Sequence, residues 1–303
     1  MKRILLPASA LWWITYAVSA GHGQNAPTPP IVWDVAQGIR APESVYFDQG
    51  SGFLFVSQIG GGGPAQKDGD GCISQLTLDG KMVRAKWATG LDAPKGLRSH
   101  AGRLWVSDID RLVGIDIATG RIAETVKVPG AAFLNDVACD ADGAVYVSDT
   151  RAGRIHRYRD GKLSVFAEGD EIESPNGLLV EGPQLIVAGW GRGLASDFST
   201  KTPGRLFALD LKTATKKLIT REPLGNLDGL ESDGAGGYIV SDWSAGKVIH
   251  VRATGEARVL FQLPQGTADL AYLPAKRLLI MPRMSENRVT AYDLSRRNQA
   301  TDR

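Results

Sequence analysis

The stretch NLDGLESDGAGGYIVSDW, Asn226 to Trp243, decides the fold, because its plan recurs along the chain. That plan is a polar residue, a small residue, a short apolar strand, a Gly turn and a second apolar strand ending in Ser-Asp. Aligned on Asp228, the copies are APESVYF at Glu43, APKGLRS at Lys95, FLNDVAC at Asn135, SPNGLLV at Asn176, NLDGLES at Asp228 and TADLAYL at Asp269. Their starts are 52, 40, 41, 52 and 41 residues apart, and each is followed by a second apolar run such as RLWVSD or AVYVSD. A period of about forty to fifty residues holding several short strands is the signature of a propeller blade. The expected fold is all-β, a six-bladed β-propeller over residues 31–294. Its six aligned polar positions should converge on one opening.

Working outward, the third unit shows the plan of a blade: LNDVACD, turn ADG, AVYVSDT, turn RAG, RIHRYR, turn DG, LSVFAEG. Asp-Gly and Gly between alternating apolar runs are the chemistry of tight hairpins. The last unit has only three strand-like runs, DLAYL, RLLIMP and RVTAYDL, before a polar tail at 295–303. A blade left open would expose an aggregation-prone edge. The strand IVWDVAQ, Ile31 to Gln37, is therefore expected to complete the last blade and close the ring. Units one and four are longer after their second strand, through Gln58 to Gly71 and Gly189 to Gly204, and both loops should overhang the opening from opposite sides.

Lys2 and Arg3 precede the apolar run ILLPASALWWITYA and the small residues Val18, Ser19 and Ala20, which reads as a secretory signal peptide over residues 1–20. An uncleaved anchor is the rival, although the run is short against the roughly 20 residues of a spanning helix. GHGQNAPTPP, residues 21–30, is a polar linker. Export to the periplasm or medium is the expected localisation, with no membrane attachment after cleavage. The chain carries a formal net charge of +2, and cleavage would remove Lys2 and Arg3 and no acid, bringing it to zero. Nucleic acid is not an expected partner, because phosphate binding needs a basic surface. A small-molecule substrate and a monomer are expected. An exported chain could pair Cys72 and Cys139, but the blade register separates them, so two unpaired, buried thiols are expected.

Asn-Gly and Asp-Gly are ordinary turn formers. Glu43 and Lys95 are not, so turn chemistry does not account for the aligned set. Carboxylates and amide oxygens around one axis make an oxygen cage suited to a hard divalent cation. Without one, the carboxylates would repel and take up protons. Lys95 opposes a cation: at roughly 5 Å and an effective dielectric near 20 the repulsion of a 2+ ion is about 6 to 7 kcal/mol. Pairing with Asp269 would soften it. His100, His156 and His250 fall off the ring, and the Asp residues of the Ser-Asp pairs (Asp108, Asp149, Asp242) are expected to cap turns. There is no GxSxG, CxxC or HExxH to support a serine hydrolase or a zinc peptidase.

At PES (Glu43), LND (Asn135), SPNGL (Asn176) and LDGLESDGAGG (Asp228) the chain resembles the SMP-30/gluconolactonase/LRE family, six-bladed propellers that hydrolyse lactones or related esters with one divalent metal. The resemblance covers roughly Pro42 to Asp293. It implies that Glu43, Asn176 and Asp228 hold the metal, Ca²⁺ foremost, with Mg²⁺, Mn²⁺ or Zn²⁺ as alternatives. It further implies that Asp228 serves as base and Asn135 as the residue touching substrate and water. Phe133 stands where sugar-lactone members often carry Arg, and Lys95 where a small or neutral residue is expected. Asn135, Lys95, Phe133 and Asp269 are the expected substrate contacts. Two readings remain: a metal-dependent lactonase, and a non-catalytic propeller that binds a ligand or partner on the same face. A redox propeller with an organic cofactor has no matching sequence feature.

Overall fold

The computed structural model describes residues 27–295. The expected signal peptide lies outside the described residues, as do residues 21–26 of the linker and 296–303 of the tail. Six four-stranded antiparallel sheets form among the described residues. Blade 1 runs Pro42–Asp48, Phe53–Gln58, Gly71–Thr77 and Met82–Leu91, and blade 2 Pro94–His100, Arg103–Asp108, Arg111–Asp116 and Ile122–Lys127. Blade 3 follows as Leu134–Cys139, Val145–Asp149, Arg154–Arg159 and Lys162–Glu168, and blade 4 as Pro175–Glu181, Gln184–Gly189, Leu206–Asp210 and Lys216–Leu218. Blade 5 is Leu227–Ser232, Tyr238–Asp242, Lys247–Val251 and Ala257–Gln262.

Blade 6 is closed as its sequence requires. Ala271–Leu273, Leu278–Arg283 and Arg288–Asp293 supply three strands, and Ile31–Val35 pairs with the last of them as the fourth. The register sets Trp33 opposite Ala291 and Val35 opposite Val289. Trp33 donates its indole N–H to Leu78 O at 3.0 Å, and Asp34 pairs with Arg288 at 2.8 Å, so the closing strand is fixed on both neighbours.

Because strands alternate their side chains, each sheet is apolar on both faces, and the core lies between successive blades. One such cluster joins Ile186, Leu206 and Ala208 of blade 4 to Leu230, Val240 and Ile249 of blade 5, all buried. Cys72 and Cys139 are free thiols; Cys72 is buried, whereas Cys139, expected to be buried as well, is half-buried.

The detail that positions chemistry is a bulge near the start of the inner strand. Register slips between Pro42 and Val45, Pro94 and Leu97, Leu134 and Val137, Pro175 and Leu178, and Leu227 and Leu230. The two residues inside each slip are the polar and small residues of the repeat. A bulge frees one residue from the ladder and re-aims it, here toward the axis.

The Ser of the second strand takes up the backbone groups that the bulge strands. Ser57, Ser148 and Ser241 accept the N–H of Ser44, Asp136 and Gly229 at 2.9, 2.9 and 2.8 Å. The following Asp holds the incoming loop: Asp149 accepts from the N–H groups of Ala132 and Phe133, both at 2.8 Å. Asp149 and Asp242 also accept from Ala152 and Ala245, which is the expected turn capping. Where the residue after the polar one is Gly, contact with the next blade sets it. A Cβ on Gly177 would lie 2.0 Å from Asp228 O, and one on Gly229 would lie 2.5 Å from Leu270 N.

Candidate active site

Five bulge residues, Glu43, Lys95, Asn135, Asn176 and Asp228, line one cavity of about 330 Å³ at the mouth of the central channel. All five are buried, at 4%, 1%, 7%, 1% and 4% exposure. Phe133 also lines it, as do Ile59 and Pro64 from one long loop and Trp190, Asp197 and Phe198 from the other. The two loops therefore meet the mouth from opposing blades. Among the described residues none of the histidines reaches this cavity.

Blade 6 departs from the expected register. Thr267 bridges Arg283, as Leu227 pairs Asp242, so Ala268 and not Asp269 occupies the position of Glu43. Two further bonds fix this. Ser241 donates to Ala268 O as Ser107 donates to Asn135 O, and Asp269 bridges Ser44, the second bulge residue of blade 1. Asp269 sits one level below the mouth and accepts from Ser44 Oγ, so it is not a wall of the cavity. The string TADL misaligns by one residue because blade 6 has no polar residue at the mouth position, and the only nearby acid draws the match. Nor does Asp269 pair with Lys95. Lys95 Nζ donates to Pro64 O and Ala93 O, both at 3.0 Å, and stands 4.5 Å from the Phe133 ring centre.

The mouth carries polar atoms without partners. Glu43 Oε2 and both Oδ1 and Nδ2 of Asn176 are buried with no hydrogen bond. Burial, then the Asp228 carboxylate, push Glu43 well above the usual carboxylate range, against a lowering by Lys95. Burial and then Asp269 do the same to Asp228, with the Asn176 amide, close to that carboxylate but outside hydrogen-bond geometry, pulling the other way. Burial lowers Lys95 to about 8 although Glu43 and Asp108 favour its charge. Two buried carboxylates and unpaired amide atoms facing one space are unfavourable for the empty protein and fit a hard divalent cation, which takes oxygen ligands and offsets like charge. Among the described residues no three His, Cys, Asp or Glu side chains gather as a metal cluster. The donor set here differs in kind, with two carboxylates and an amide.

Asn135 Nδ2 reaches Thr150 Oγ1 at 3.4 Å, and Thr150 Oγ1 donates to Pro175 O at 2.9 Å, which turns the Asn135 amide toward the cavity. The apolar rim was not foreseen. Ile59, Thr150, Trp190, Trp243 and Met284 each follow the last residue of a second strand, and each donates its N–H to the loop before its own inner strand, at 3.0 to 3.1 Å. The repeat therefore specifies a second ring of wall residues, visible in the sequence as the position after Gln58, Asp149, Gly189, Asp242 and Arg283.

Residues 88–280 match the family model described as SMP-30/Gluconolactonase/LRE-like region. Glu43 lies before that range, so the geometry, and not the match, puts it in the site. A gluconolactonase from Xanthomonas campestris shares the fold with a TM-score of 0.62 at 17% identity, over 89% of this chain and 97% of that one. A calcium-binding regucalcin from Agrobacterium tumefaciens gives 0.61 at 15%, over 88% and 94%. A virginiamycin B lyase from Staphylococcus aureus gives 0.59 at 12%, over 86% and 98%. At such identities the likeness establishes the fold alone. No curated protein matches the chain in sequence.

Proposed function

The chain belongs to the SMP-30/gluconolactonase/LRE-like family, and from that premise we propose that it is an exported hydrolase of a lactone or related cyclic ester that works with one divalent cation, Ca²⁺ foremost. The observation that carries the proposal is the set of unpartnered buried atoms on Glu43 and Asn176 beside Asp228. Glu43, Asn176 and Asp228 would hold the cation. When bound, a cation supplies Lewis-acid polarisation of the ester carbonyl and stabilises the oxyanion that develops there.

The chain's own residues do the rest. Asp228 takes a proton from water as the water oxygen bonds to the carbonyl carbon, and returns it to the ring oxygen as that C–O bond breaks. The product is a hydroxy acid. Asn135, held by Thr150, orients the water. Lys95, anchored to two backbone carbonyls, faces the negative charge of the opening ester. Export rests on the N-terminal residues Lys2 to Ala20 of the sequence.

With cation supplied, Asp228→Ala is expected to lower turnover of a responsive lactone by about 10² to 10⁴-fold, measured after elemental analysis of the purified chain. Unchanged turnover ends the proposal. A second reading, a non-catalytic binder, draws on Lys95, a cationic residue in the same cavity as the would-be ligands. Calorimetric titration separates the two: no cation uptake together with no turnover favours the binder.

A further inference from the structure

Granted the cyclic-ester reading, we infer that the substrate carries an apolar substituent, aliphatic or aromatic, beside its ester ring, and that Phe133 and Phe198 select it over a polyhydroxylated sugar lactone. The cavity is divided by chemistry. Its base is polar, made by the bulge residues, while its wall is built from Phe133, Trp190, Phe198, Trp243, Ile59 and Met284. The rings form one continuous surface: Phe133 meets Phe198 at 5.0 Å between centroids, Phe198 meets Trp190 at 6.0 Å, and Trp190 meets Trp243 at 6.1 Å.

The polar groups packed against the rings are engaged, while the other polar lining residues, Asp197 and Gln265, are exposed at the outer edge of the cavity. Trp190 Nε1 donates to Phe198 O at 2.9 Å, Asp197 Oδ1 accepts from Ser199 N–H and Oγ, and the Thr150 hydroxyl is given to Pro175 O. Sugar hydroxyls taken from water against the ring faces would find no partners on those faces, which is costly, whereas an alkyl or aryl group gains by leaving water. A pocket of this size, polar at one end only, fixes a carbonyl at its base and a hydrocarbon group on its wall.

Phe198 is placed at some backbone cost. Its φ is +64°, a left-handed conformation that bulky residues rarely adopt. The ring is held there by Phe133, Trp190 and the Arg151 guanidinium, 4.1 Å from its centre, and Arg151 also donates to Ser196 O at 2.7 Å. The long loop of blade 4 thus carries an aromatic side chain to the mouth and fixes it against a residue of blade 3.

The test compares γ-decalactone with δ-gluconolactone on the cation-loaded protein, and follows binding of the γ-lactam analogue of γ-decalactone through the fluorescence of Trp190 and Trp243. The decalactone is expected to exceed the gluconolactone in kcat/KM by about 50-fold or more, the range that a few methylenes in an apolar pocket can supply. Phe198→Ser and Phe133→Ser should each lower that ratio about tenfold, mainly through KM, and Phe198→Leu should retain most of it. Thermal melts check that the variants fold. Equal or better use of the gluconolactone, or a ratio that Phe198→Ser does not move, overturns the inference and leaves the hydrolase standing. Lactam binding without turnover of any lactone upholds the apolar site and ends the hydrolase reading. Absence of both ends both.

Discussion

The mouth and the floor of the central channel both bury charge on the same axis, and they treat it in opposite ways. At the mouth, Glu43 Oε2 and the Asn176 amide atoms are left without partners. Three residues further along the inner strands, Arg98 of blade 2 and Glu231 of blade 5 meet across the channel at 2.9 Å, with Arg98 also over the Tyr46 ring at 5.0 Å. Between these levels Asp136 accepts from Leu178 N–H and Asp269 from Ser44. The same repeat therefore yields a floor where opposite charges pair directly, with only Arg98 Nε left over, and a mouth whose carboxylates face no cationic partner in contact. A fold that can pair its buried ions, and does so in one layer, keeps the other layer open for something that is not protein.

The largest expected effect lies at the floor. The Arg98 and Glu231 side chains are only 14% and 16% exposed. Glu231→Ala leaves a guanidinium that cannot lose its proton, and should cost about 3 to 5 kcal/mol in urea unfolding. Arg98→Met with Glu231→Leu should come close to wild type, because an apolar pair of similar volume removes both desolvation penalties. A single-variant cost under about 1 kcal/mol would mean that the floor is not held by this pair, and the contrast with the mouth would fail.

The middle layer gives a smaller, pH-dependent effect. Asp136 is pushed up to about 7, by burial first, against lowering by Arg98 and by the Leu178 and Val137 N–H groups. An unfolded Asp titrates near 4. Between those values the native chain holds a proton that the unfolded chain has lost, so stability falls as pH rises from about 4 to about 7. The slope from this group is at most about 1.4 kcal/mol per pH unit. Denaturant melts of cation-free protein across that window should show the decline, to which the raised Glu43, Asp228 and Asp269 also contribute, and Asp136→Asn should lessen its slope by up to about 1.4 kcal/mol per pH unit. A rise in stability over the same window would contradict this account of the layer.

Much of this was legible in the sequence, for a physical reason. Blade register, the closing strand and the shared direction of Glu43, Lys95, Asn135, Asn176 and Asp228 all follow from strand alternation plus one bulge per repeat, and repeats print such rules many times. What was not legible depends on one blade or on closure. Asp269 was placed one residue too high because Ala268 gives no polar signal at the mouth position. The Arg98–Glu231 contact joins opposing blades, which only the closed ring brings together. Phe198 belongs to a loop with no period. The rim after each second strand was printed five times, yet Ile, Thr, Trp and Met share no chemistry, so only their common backbone bond reveals them as equivalent.

The smallest effect is the one that separates mouth from floor by sign. Glu43 is held well above its ordinary range by burial and by Asp228, so its carboxyl costs the cation-free fold stability once it ionises. Glu43→Gln keeps the shape and removes that charge, and should stabilise cation-free protein at neutral pH by about 1 kcal/mol. For a domain of this size that is a rise of about 2 to 4 °C in Tm. The same change should abolish the further rise that saturating Ca²⁺ gives the wild type, because binding to the native state alone is what produces such a rise. Calorimetric melts with and without Ca²⁺ read both. A fall in Tm without Ca²⁺ would make Glu43 a structural group like Glu231. The unpartnered Oε2 would then belong to the packing of the ring, and the case for a cation at the mouth would lose its central observation.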